Sequence, residues 1–79
     1  MDIFTEIKKI IANEFAIDEE EVVSEAHLQA DLGGDSLALL NLAQIISELY
    51  GIELTADDII DVENLGELIA LIDSKISSK

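Results

Sequence analysis

The chain has 79 residues, 49% of them apolar and only 4% aromatic, and its 18 acidic side chains against 4 basic ones leave a formal net charge of -14. A chain this short buries about 60% of the surface it exposes when unfolded, so one domain, residues 1–79, is expected. The charge excludes nucleic acid and anionic lipid as partners and steers the molecule toward positively charged surfaces. The absence of cysteine excludes disulfides and thiolate metal sites.

Apolar residues at Ile3, Phe4, Ile7, Ile10, Ile11 and Phe15 recur at three- and four-residue spacing, which predicts an amphipathic helix from Asp2 to about Phe15. Its Lys8 and Lys9 read as solubilising charges balancing Glu6 and Glu14. The opening residues lack the basic lead and unbroken apolar run of a signal peptide, and no apolar run reaches membrane-spanning length. A soluble, cytoplasmic protein without membrane insertion is therefore expected.

A long connection, Ala16 to Gly34, follows, and connections beyond about 12 to 15 residues need local structure or a function. Asp18 can cap a short turn through Glu21, while Val22, Val23 and Leu28 are expected to tuck beneath the bundle. His27, the only histidine, has no second histidine or thiol to form a metal site and is expected to touch a carboxylate.

The connection ends in Asp31 to Leu37, which reads DLGGDSL. Gly33 and Gly34 mark a turn, Asp35 can accept the free N–H groups of a first helical turn, and Ser36 is thereby set at a helix start. The positive end of a helix dipole there suits an anionic phosphoester on the serine oxygen. The helix runs from Ser36 to Tyr50 and stops at Gly51. Leu39, Leu42, Ile46 and Leu49 gather on its core side, with Ala43 and Tyr50 at the edge; Ser36, Leu37, Leu40, Asn41, Gln44, Ser47 and Glu48 gather on the other. Two leucines flanking a serine in solvent suggest a docking patch, unless the preceding loop covers them.

Thr55, Ala56, Asp57 and Asp58 open a brief third helix with Ile59, Ile60 and Val62 as its apolar face. Asn64 and Glu67 repeat the capping arrangement for a last helix, whose inward stripe is Leu65, Leu68, Ile69, Leu71, Ile72 and Ile76. Lys75 and Lys79 fall near its negative end. The elements sum to an all-α fold: a small four-helix bundle, three longer helices plus one short, with a long loop between the first and second. Its core must be aliphatic, with Phe4, Phe15 and Tyr50 as the few large anchors.

The carboxylates do not form an EF-hand. Counted from Asp31, Ser36 falls where glycine is required and Leu42 where the bidentate glutamate belongs. GGDS is followed by no lysine and so cradles no phosphate, and Ser36 has no base in sequence reach, so no catalytic residues are expected.

Turn, aspartate, serine and leucine entering a long helix in a small acidic chain resembles the phosphopantetheine attachment site of acyl carrier proteins, and the resemblance runs over nearly the whole sequence. It implies that Ser36, flanked in the motif by Asp35 and Leu37, is esterified by a phosphopantetheinyl transferase using coenzyme A and Mg²⁺. The 4′-phosphopantetheine arm would then carry acyl groups as thioesters. The resemblance also implies docking of acyl-loading and acyl-processing enzymes, through basic or apolar surfaces, on the second helix at Leu37, Leu40, Asn41, Gln44 and Glu48. An acyl shelter among Leu42, Ala43, Ile46, Ile59 and Ile60 is implied as well, although a packed core explains those five equally.

The family's second helix usually bears several acids, whereas this one has Ala38, Asn41 and Ser47 at such positions and only Glu48 charged. Acid is concentrated instead in the first loop and at Asp57, Asp58, Asp61 and Glu63. That departure points to a specialised carrier for a polyketide, lipid or modified fatty-acid pathway, and a monomer is expected. An aminoacyl or peptidyl carrier is the nearest alternative, and an unmodified acidic helical adaptor the alternative of a different class.

Overall fold

The structure, a computed structural model, describes residues 2–33 and 35–78. In chain order it contains α1 (Ile3–Phe15), a 3-10 turn (Glu19–Glu21), α2 (Ser36–Tyr50), α3 (Ala56–Asp61) and α4 (Leu65–Ser77), with no strand among the described residues.

Each helix begins where a side chain supplies an acceptor. Asp2 accepts the Phe4 N–H at 3.3 Å. Asp18 and Glu21 form a reciprocal capping box on the 3-10 turn, as the acidic run predicts. Thr55 and Asp58 form another on α3, with N–H to oxygen distances of 3.2 and 3.1 Å. At α4 the expected box is only half made. Asn64 Oδ1 accepts the Glu67 N–H at 2.9 Å, but the Glu67 carboxylate reaches past Asn64 to the Glu63 N–H at 3.2 Å. α1 and α2 both end in left-handed residues, Ala16 at φ 56° and Gly51 at φ 64°. Gly51 enters that conformation without the steric cost a Cβ brings.

The core is aliphatic throughout. Ile7 and Ile11 of α1, Leu39, Leu42 and Ile46 of α2, Ile59 of α3, and Leu65, Leu68 and Ile72 of α4 are fully buried, joined from the long loop by Val22, Ala26, Leu28 and Leu32. α2 packs against both α1 and α3, and α4 against α1. The long loop is stitched to the start of α4 by two backbone bonds, Leu65 N–H to the Ala26 carbonyl and Gly66 N–H to that of Ser24, at 3.0 and 2.9 Å. They satisfy N–H groups that a helix start leaves without intrahelical partners. A Cβ at Gly66 would lie 3.3 Å from Asn64 Oδ1 and 3.4 Å from the Ser24 carbonyl, so the glycine serves this close approach.

Several expectations are corrected. Val23 is 45% exposed rather than tucked under, because the chain turns sharply after the 3-10 turn and only Val22 points inward. Leu49 is 52% exposed: at the last turn of α2 it overhangs an open groove bounded by Asp2, Thr5, Glu6, Lys9 and Ile10, with no element to cap it. Phe4, Phe15 and Tyr50 pack on the rim of the core, not at its centre. Ser47, expected in solvent, is half-buried. Its hydroxyl accepts the Leu54 N–H at 2.9 Å and lies 2.7 Å from the Ala43 carbonyl and 3.0 Å from that of Leu54, binding α2 to the segment entering α3. Glu6 bonds Tyr50 rather than a lysine, and Lys8 Nζ stands 5.9 Å over the Phe4 ring. Lys75 pairs with Asp58 at 3.9 Å, while Gly34 and Lys79 lie outside the described residues.

Candidate functional site at the start of the second helix

Gly33 adopts the left-handed conformation, at φ 73°, ahead of α2. Asp35 follows as an extended N-cap. Its Oδ1 accepts the Ala38 N–H at 2.8 Å, and its carbonyl accepts the Leu39 N–H at 2.9 Å. Capping thus accounts for this carboxylate. Ser36 is the first residue of α2 and is exposed, and its hydroxyl has no hydrogen-bond partner among the described residues. Among the described residues no side chain is hydrogen-bonded to it as a base would be. At a helix N-terminus, where the peptide dipoles present their positive end, a phosphoester on this oxygen would be favoured. The geometry therefore fits a phosphate-linked prosthetic group attached through a serine oxygen.

Along the same side of α2, Leu37 and Leu40 are 66% and 55% exposed, so the loop covers neither. Asn41, Gln44 and Glu48 are exposed with them, and Gln44 Nε2 donates to Glu48 Oε2 at 3.3 Å. Five expected lining residues of an acyl shelter separate into two groups. Leu42, Ala43, Ile46 and Ile59 are buried together in the core, whereas Ile60, turned about 100° round α3 from Ile59, faces out at 44% exposure. Charge is distributed unevenly about this face: Glu48 is the only acid on α2, and Asp57, Asp61 and Glu63 are exposed on and after α3.

His27 does not use its ring as expected. Its backbone N–H, not the imidazole, meets a carboxylate, that of Asp31 at 2.8 Å, and Nδ1 accepts the N–H groups of Gln29 and Ala30 at 3.2 and 3.0 Å. The sequence signal was present in its position two and three residues before those amides, which is N-cap spacing, but histidine is not among the usual capping residues.

Comparison with known proteins agrees with this geometry. The family described as the phosphopantetheine attachment site matches residues 5–72. An acyl carrier protein of Thermotoga maritima is 32% identical over 75 residues, covering 95% of this chain and 93% of that protein. Those of Coprothermobacter proteolyticus and Guillardia theta are each 30% identical over 77 residues, covering 98% of this chain and 94% and 95% of theirs. The chain belongs to the acyl carrier protein family. It is a carrier rather than an enzyme, and the prosthetic group of the family is covalently attached 4′-phosphopantetheine.

Proposed function

We propose that this chain is a monomeric, single-domain, specialised acyl carrier of the cytoplasm, loaded at Ser36 and serving a polyketide, lipid or modified fatty-acid pathway. The observation that carries the reading is the exposed Ser36 hydroxyl, without a hydrogen-bond partner among the described residues, one residue after the Asp35 cap. On this reading the Ser36 oxygen forms the new bond to the phosphate that joins pantetheine to the nucleotide of coenzyme A, the nucleotide half leaves, and the hydroxyl gives up its proton. Once bound, the prosthetic group supplies a terminal thiol that holds acyl groups as thioesters.

The chain's own residues do the positioning. Asp35 holds the first turn of α2 in register through the Ala38 N–H, so that Ser36 projects outward. Leu37, Leu40, Asn41, Gln44 and Glu48 form the docking face for the phosphopantetheinyl transferase and for acyl-loading and acyl-processing enzymes, with apolar contact at its centre. Net acidity draws partners with basic surfaces and favours brief encounters with fast release. Leu42, Ala43, Ile46 and Ile59, with Ile60 at their outer edge, form the shelter for the acyl chain. A specialised pathway is favoured by the near-neutral face of α2, which asks for an apolar seat in the partner rather than a row of cations.

Intact-mass measurement tests the loading site. With coenzyme A, Mg²⁺ and a broad-specificity transferase, the wild type is expected to gain one phosphopantetheinyl group and Ser36→Ala none. Loading of Ser36→Ala at another serine would refute the assignment.

A further inference from the structure

The last part of the long loop, from His27 to Leu32, is a single turn held by two side chains, those of His27 and Asp31. The His27 carbonyl accepts the N–H groups of Asp31 and Leu32 at 2.8 and 3.2 Å, and the Asp31 carboxylate accepts the His27 N–H. Between them the imidazole Nδ1 takes the N–H groups of Gln29 and Ala30, doing for this turn what a serine or aspartate oxygen does at a helix start. A ring nitrogen that receives N–H groups must offer a lone pair. The neutral ring therefore carries its proton on Nε2, and an imidazolium has no acceptor to give.

The turn has a defined mechanical output. Leu28 and Leu32 are both buried, so the turn decides where each enters the core. Leu32 lies four residues before Ser36, and Gly33, next in the chain, is left-handed at φ 73°.

We propose that His27 is a positioning residue for the loading of Ser36, acting as the neutral, Nε2-protonated imidazole whose Nδ1 caps the turn delivering Leu32, Asp35 and Ser36 to the start of α2. The role rests on the reading of Ser36 as the attachment point. The charged groups of the surrounding segments are carboxylates: Glu25 and Asp31 on the loop itself, and Glu63 and Glu67 beside the start of α4, across the Ala26–Leu65 bond. Asp31 and Glu67 are engaged by backbone N–H groups, those of His27 and Glu63.

Nitrogen-15 spectra of the labelled full chain read the tautomer directly, and an unprotonated Nδ1 beside a protonated Nε2 is expected at neutral pH. In single-turnover loading by a transferase, His27→Ala is expected to be about 3- to 10-fold slower, the population shift that loss of a cap produces. His27→Ser, which restores an acceptor oxygen, should recover most of the rate. A proton on Nδ1, a His27→Ala variant as fast as wild type, or a serine variant that fails to recover would each overturn the role. If the wild type is not loaded at Ser36 at all, the attachment reading itself falls; the tautomer still reports on the cap.

Discussion

The Tyr50 hydroxyl donates a 2.7 Å hydrogen bond to Glu6 Oε1, joining the last residue of α2 to the first turns of α1 across 44 positions of sequence. Partial burial, then the hydrogen bond and negative charge of Glu6, pushes the phenol well above its ordinary range. The folded state therefore holds the proton more tightly than the unfolded chain does. Its contribution is fully present below tyrosine's ordinary value of about 10 and is lost as pH rises beyond it. Tyr50→Phe is expected to cost about 0.5 to 1.5 kcal/mol in denaturant unfolding at neutral pH. The gap between variant and wild type should close above about pH 10; a gap that widens there would contradict the bond.

Two leucines on one helix should answer opposite questions. Leu42 is fully buried, so Leu42→Ala is expected to cost about 2 to 5 kcal/mol of stability, the range for deleting a large core side chain. Leu37 is mostly exposed, so Leu37→Ala should unfold at nearly the wild-type denaturant midpoint while slowing transferase and partner turnover. Unchanged turnover with Leu37→Ala would remove it from the proposed docking face.

A net charge of -14 opposed by few cations should make the fold responsive to salt. Among the described residues one lysine–carboxylate pair lies within 4.0 Å, Lys75 with Asp58 at 3.9 Å, and an exposed pair of this kind contributes at most about 1 kcal/mol. Raising ionic strength, or adding divalent cations, screens the remaining repulsion, so the melting temperature should climb between low salt and about 0.15 M. A thermal scan indifferent to ionic strength would show that the carboxylates are no closer together in the fold than in the unfolded chain.

Local chemistry in the sequence was enough to place the helices and every cap but Asp2, which the apolar spacing puts inside the first helix. Asp2, Asp18, Asp35, Thr55 and Asn64 each cap the element they precede, because a capping side chain bonds amides two or three residues on and needs nothing from the rest of the chain. The same locality put Ser36 at a helix start behind the Asp35 cap and Leu37 and Leu40 on the side of α2 away from its core stripe, although only the structure shows that the loop leaves both exposed. Which side of a stripe is finally covered depends on what packs there, and that only the tertiary structure decided. Leu49 matches the core register of α2 but overhangs a groove, and Ser47 matches the solvent register but is claimed by Leu54. The tyrosine bond to Glu6, the seating of the loop on Gly66 and the imidazole cap at His27 likewise depend on where the chain returns in space, or on a side chain used outside its usual role. Spacing along a sequence records the angle at which a side chain leaves its helix. It carries no record of the neighbour that arrives to meet it.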